Sequence, residues 1–218
     1  MSFRTTLNKV LVRLREDTIS SDWSGAINDS TAVDDYQKLI GEFVNEAKQI
    51  VEDSWNWGAL RTVISLNTTS GTSQYTITGV NNRSRILQVI DSTNNVNLTQ
   101  TSDNYFYRVT HTGSSSNGIP SYYRLNNNTI DFWNTPGGTY AIKIHAVDAP
   151  DDLTNAADTI LVQENLIVLG AYALALSERG EDGGTPSDQA MLRFKTALTD
   201  AISQDSQRTV DETTWYAS

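Results

Sequence analysis

Residues 55–66 read Trp-Asn-Trp-Gly-Ala-Leu-Arg-Thr-Val-Ile-Ser-Leu, WNWGALRTVISL, and the chain changes its repeat there. On the N-terminal side, Tyr36, Ile40, Phe43, Ala47, Ile50, Val51 and Ser54 lie on one helical stripe that runs to Trp55. Asp34 and Asp35 sit where a helix start favours negative charge. On the C-terminal side, Val63 alternates with Ser65 at the period of two expected of a strand. A helix therefore hands over to a strand at Leu60, and the chain is predicted to be α+β.

Working outward toward the N-terminus, Leu7, Val10, Leu11 and Leu14 mark one face of a short helix that ends near Asp17. Residues 18–32 read as a polar loop. In the other direction, 61–66, 74–78 and 86–90 read as strands, with Asn, Gly and Ser clusters at 67–73, 79–84 and 91–97 as turns. Residues 102–109 fit either a helix capped by Ser102 or another strand. Residues 121–125 and 129–133 flank the triplet Asn126-Asn127-Asn128, Thr135-Pro-Gly-Gly138 is a turn, and 140–147 is a last strand. These segments predict a small antiparallel meander closed as a sandwich or barrel.

Helical spacing returns over 160–176, where Ala171, Ala173 and Ala175 permit close approach of another helix, and Arg179-Gly180 ends it. Thr185-Pro-Ser-Asp188 is a second start signal, followed by a stripe of Met191, Phe194, Ala197 or Leu198, Ala201 and Ile202. The predicted architecture is a four-helix-type bundle built from 1–60 and 150–204, a discontinuous helical domain. A β-rich module of 61–149 is inserted in it, and an extended tail follows over 205–218.

Charge divides along the same lines. Residues 1–60 carry six basic and ten acidic side chains, 61–146 six and three, and 147–218 four and thirteen, within a net charge of −10. Acidic ends of this kind lack the Lys/Arg density that holds nucleic acid through counterion release. The absence of cysteine excludes disulfides, a thiolate nucleophile and Cys-based metal sites. No apolar run at the N-terminus suits a signal peptide, and the apolar stretch 160–176 is interrupted by Gln163, Glu164 and Asn165. The chain is expected to be soluble, not secreted and without a membrane span.

Catalytic patterns are sparse. His145 lies in Ile142-Lys-Ile-His, where alternation puts it opposite the isoleucines, and His111 lies in a Thr/Gly/Ser-rich loop. No Gly-x-Ser-x-Gly elbow accompanies either, and no phosphate-binding glycine loop occurs. Acid pairs occur at Asp34-Asp35, Glu52-Asp53, Asp151-Asp152 and Glu181-Asp182, each where acids are ordinarily solvated. The turn from Asp91 has oxygen donors but lacks the terminal Glu of a calcium loop. No catalytic, cofactor or metal residue is assigned. The aromatic residues of the strand module, about half of which alternation turns inward, suit its core. Trp215 and Tyr216 belong to no periodic segment, so with Val210 they are candidates for a partner's pocket.

The order of these features resembles the head-to-tail adaptor (connector) proteins of tailed bacteriophages, of the tubular-protein-A and adaptor type found in short-tailed phages. The likeness is carried by Trp55-Asn-Trp57-Gly-Ala-Leu, Gln74-Tyr-Thr-Ile, Arg85-Ile-Leu-Gln-Val, Gly118-Ile-Pro-Ser-Tyr-Tyr, Ile130-Asp-Phe-Trp-Asn-Thr-Pro and Ala171-Tyr-Ala-Leu-Ala-Leu-Ser-Glu-Arg-Gly-Glu-Asp. It spans about residues 33–204. Asn134 departs from the pattern, which often has Pro there.

The resemblance implies a non-enzymatic virion protein that assembles in the host cytoplasm. It implies a homo-oligomeric ring, usually a dodecamer, between the portal protein and the tail nozzle or tube, with DNA passing through unbound and no membrane involved. Acid at both helical ends suits a channel that repels phosphate. Trp215, Tyr216 and Val210 become candidates for portal docking, and Trp55, Trp57 and Tyr172 for subunit packing. Two other classes remain to be separated: a peptidoglycan hydrolase using acids among Glu52, Asp53, Glu181 and Asp182, and a carbohydrate-binding β-module stacking sugars on Trp133.

Overall fold

The computed structural model describes residues 1–112, 117–180 and 185–208. They form two compact units, Met1–Leu60 together with the residues from Asp151 onward, and Arg61–Pro150.

The first unit contains α1 (Phe3–Leu14), α2 (Asp35–Ser54), α4 (Glu164–Arg179) and α5 (Thr185–Ser206). Helix α2 begins with a reciprocal cap. Asp34 accepts the Gln37 backbone N–H at 2.8 Å, and the Gln37 side chain accepts the Asp34 N–H at 3.1 Å. Helix α4 starts later than the periodicity implied, at Glu164 rather than Ile160. The residues before it are used elsewhere. Phe3 N–H donates to Asp158 O, Ile160 N–H to Met1 O and Ile27 N–H to Thr154 O, so 151–160 is stitched to the N-terminus and to the 15–34 loop.

That loop is not merely polar. Ile19, Trp23, Ile27 and Val33 are buried, and the Trp23 ring meets Phe3 edge-on at 5.8 Å.

Helix α4 is the centre of the unit: α1, α2 and α5 all pack on it, and α1 also packs on α2. A closed four-helix bundle is not what these contacts describe, because α5 shares an extended contact with α4 alone. The approach is closest at Gly170, where a Cβ would lie 3.0 Å from the Ala47 Cβ and 3.2 Å from the Phe194 ring. The stripe of α2 also differs from the reading. Ile50 is exposed, while Lys48 and Glu52 are each 1% exposed and form an ion pair at 3.2 Å. Lys48 Nζ further donates to Asp151 O at 3.0 Å.

The second unit contains one curled sheet, ordered β1-β9-β3-β4-β6-β7-β2, from strands β1 (Arg61–Asn67), β2 (Gln74–Thr76), β3 (Arg85–Asp91), β4 (Val96–Gln100), β6 (Tyr122–Asn126), β7 (Thr129–Trp133) and β9 (Ala141–Val147). A two-residue parallel pair, β5 (Asn117–Gly118) with β8 (Thr135–Pro136), occupies part of the predicted Thr-Pro-Gly-Gly turn. The sheet is neither a simple meander nor a closed barrel. β4 and β6 run parallel, Thr99 opposite Tyr122, and β1 and β2 remain as edges. A parallel pair needs a crossover, and the ambiguous 102–109 segment supplies it as α3 (Asp103–Thr112). Curling brings Val89, Leu98, Tyr123, Ile130, Phe132, Ile142 and Ile144 into one core.

The Lys48–Glu52 pair yields a test of the helical unit. Removing one partner strands a buried charge, a loss of about 3–5 kcal/mol. Lys48→Ala is expected to lower the chemical-denaturation midpoint strongly, while Lys48→Met with Glu52→Leu restores most of it. Equal losses in both variants would contradict the assignment.

Candidate functional site

The strand unit places its aromatic residues on two faces. In the β6–β7 hairpin, Tyr123 opposes Phe132 and Leu125 opposes Ile130 on the core side, while Tyr122 opposes Trp133 and Arg124 opposes Asp131 on the other. Helix α3 covers that second face. Arg124 is held by Asp131 at 2.5 and 3.1 Å and lies over the Phe106 ring at 4.7 Å, while Tyr105 packs on Tyr122 at 5.6 Å and Tyr122 on Trp133 at 6.0 Å. The hydrogen bond to Asp131 raises the Arg124 pKa against the opposing effect of burial, so the guanidinium is a fixed charge.

Beside this pair lies a cleft of about 370 Å³ whose lining includes Ser73, Gln74, Thr110 and Trp133. The Asp131 carboxylate there is engaged by Arg124, and the half-buried Trp133 ring is packed against Tyr122. Neither a free carboxylate dyad nor an open stacking face is assembled from these residues.

Other acids weighed from the sequence are engaged locally. Asp34 caps α2, Asp152 accepts from Gln49 at 2.7 Å, and Glu52 is paired with Lys48. Asp91 is fully buried and accepts from the Thr93 and Asn94 backbones and the Asn94 side chain, so its oxygens close a turn. Among the described residues no group of three or more His, Asp or Glu is arranged to hold a metal ion. His145 points away from buried Ile142 and Ile144, as alternation predicted. His111 lies in the last turn of α3 with Tyr107 stacked on it, rather than in a loop. Glu181 and Asp182 lie outside the described residues.

The interface candidates fall in the helical unit. Trp57 is 3% exposed, and its indole N–H donates to Val51 O at 2.6 Å, closing the end of α2. Trp55 is half-buried and donates through Nε1 to Asp205 Oδ2 at 3.1 Å, and the Gly58 N–H donates to the same oxygen at 3.1 Å. One carboxylate thus ties the end of α5 to the Trp-Asn-Trp-Gly corner. Asp205 had been read as the first tail residue, but helix α5 continues to Ser206, so the tail begins later. The signal for this was present: an acid at the helix end has no periodic role of its own, and it matches two donors at the corner.

Tyr172 is half-buried and lines a hollow of about 200 Å³ with Leu169, Leu176, Ala190 and Arg193. A larger hollow of about 650 Å³ adjoins it through their common residue Arg13 and is lined by Arg4, Lys9, Val12, Glu164 and Val168. Val210, Trp215 and Tyr216 lie outside the described residues. No described helix is long and apolar enough to cross a membrane.

Asp205→Ala removes a charged acceptor with two donors, an arrangement worth about 1.5–3 kcal/mol for each bond lost. Hydrogen exchange over 200–206 is expected to accelerate strongly, with exchange in the strand unit unchanged, and Trp55→Phe is expected to give a smaller acceleration over the same residues. Unaltered exchange at the end of α5 would refute the tie.

Comparison with curated proteins finds no match to the chain. A family model described as the SU10 adaptor protein matches residues 1–217. The match extends over both units and includes the Trp-Asn-Trp-Gly corner, the β6–β7 hairpin and the alanine-rich α4. The chain belongs to the SU10 adaptor protein family.

Proposed function

We propose that the chain assembles into a ring between the portal vertex of a phage capsid and its tail, and that DNA passes through the ring without being held. Membership of the adaptor family makes it a structural protein of head–tail joining, and that match over nearly every residue is the observation that carries the reading. The physical features add detail. The two terminal thirds are acidic, at six basic to ten acidic and four to thirteen, and a channel bordered by such surfaces would repel phosphate and let a genome slide.

Residues 1–60 and 150–204 act as the helical domain in this reading, and 61–149 as the inserted module. The segment after α5 is the portal anchor. It carries Val210, Trp215 and Tyr216, large apolar groups suited to a partner's pocket, and it leaves from a helix end fixed by Asp205. A fixed exit lowers the entropy lost on docking. Trp55 and Trp57 contribute by holding that exit, and Tyr172 by lining a surface hollow.

The reading is tested by co-sedimentation with portal rings. The chain lacking 209–218 is expected to fold with unchanged circular dichroism and to lose portal binding by roughly two orders of magnitude, since each anchor residue contributes about 2 kcal/mol or more. Trp215→Ala with Tyr216→Ala is expected to reproduce most of that loss. Full binding by the truncated chain would remove the anchor from the account.

A further inference from the structure

Helix α1 runs against the charge of the chain. Its twelve residues, FRTTLNKVLVRL, include Arg4, Lys9 and Arg13 and no acid, in a protein of net charge −10. The three cations line the 650 Å³ hollow over α4, and Arg193 of α5 shares the adjoining one with Arg13. Lys9 is paired with Glu164, and Arg4 donates to Ser21 O and Trp23 O. Arg13 and Arg193 are exposed and have no ion-pair partner among the described residues.

Between the charges the groove carries an apolar strip, with Thr5, Asn8, Asn165 and Gln189 beside it. Leu169, Tyr172 and Leu176, each half-buried, form its floor, and Val12, 62% exposed, stands on its rim. Phe194 of α5 and Ala47 of α2 converge on Gly170, and α5 makes no extended contact with α1, so the groove lies open between α1 and α5.

We propose that this groove is the resting site of the chain's own residues 209–218. The segment reads Thr-Val-Asp-Glu-Thr-Thr-Trp-Tyr-Ala-Ser, with Asp211 and Glu212 to meet Arg13 and Arg193 and with Trp215 and Tyr216 to cover the apolar floor. The path is short enough. Tyr36 of α2 meets Arg179 at the end of α4, and Asp205 meets Trp55 beyond the other end of α2, so the end of α5 lies toward the start of α4, where Glu164 lines the groove. Phe194 is level with Gly170, and the twelve residues from there to Ser206 carry the end of α5 about 18 Å away; from Arg208, nine further residues extend up to about 30 Å, enough for Trp215 and Tyr216 to return to that level.

Nucleic acid fits less well, because Glu164 sits in the wall, two of the four cations are already engaged, and the floor is apolar. The inference goes beyond the adaptor reading and stands without it; if both hold, a portal must draw the segment out of the groove.

The absence of cysteine makes the test clean. Full-length chain carrying Val12→Cys and Ala217→Cys, treated with a short bismaleimide, is expected to cross-link within one chain. Ile50→Cys with Ala217→Cys, on an exposed position of α2 in the same unit, should cross-link far less. Adding Arg13→Glu and Arg193→Glu, or raising salt, should lower the Val12 yield roughly tenfold, with circular dichroism confirming the fold.

Equal yields at Val12 and Ile50, a yield indifferent to charge and salt, or products of twice the mass would overturn the proposal, the last by assigning the groove to a second copy. Charge-sensitive binding of duplex DNA with no Val12 cross-link would also overturn it, in favour of nucleic acid.

Discussion

Three helices meet at Gly170, and the helical unit is arranged around that point. A side chain there would press on Ala47 of α2 and Phe194 of α5, and interiors packed at crystal-like density resist even one added methylene. The small residues Ala171, Ala173 and Ala175, all buried, extend the same condition along α4. Close approach on this side draws α5 toward α2 and brings Asp205 within reach of Trp55 and Gly58. α5 makes no extended contact with α1, so the same arrangement gives both a fixed exit for the chain after α5 and an open groove between α1 and α5.

In the strand unit the governing feature is the parallel pairing of β4 with β6. An antiparallel meander needs only turns; a parallel step needs a crossover, and α3 fills that role while covering the outer face of the hairpin. Arg124 joins the two elements. It is bound to Asp131 beneath it, lies over Phe106 and Tyr107 above, and reaches Asp103 at 3.6 Å. The aromatic surface of this unit is thereby used on both faces of one hairpin, with Tyr123 and Phe132 inside and Tyr122 and Trp133 under the helix.

Much of this was legible in the residues. The α2 start at Asp34-Asp35, the change of period at Leu60, the hairpin around Asn126-Asn127-Asn128 and the Thr185-Pro start of α5 carry local signals that tertiary packing did not override. Where reading failed, the reason is non-local. Strand β4 presents only Leu98 to the core within an Asn-rich stretch, so no alternation announces it. Ile160 has helical spacing with the residues that follow but exchanges its backbone hydrogen bonds with Met1 instead. Lys48 and Glu52 were invisible as core residues because a buried ion pair looks in sequence like a solvated one. Trp23 was hidden in a loop that is polar by composition.

The family match and the geometry bear on different parts of the account. The match makes the chain a structural protein of phage head–tail joining; the geometry gives the tie of Asp205 to the Trp-Asn-Trp-Gly corner at the end of α5 and a cation-lined groove along α4. Electron microscopy of the purified chain mixed with portal rings tests the central claim most directly. The account predicts a second ring stacked coaxially on the portal, with an open channel through both. Isolated subunits scattered around an unaltered portal, at concentrations where both proteins are folded, would contradict it.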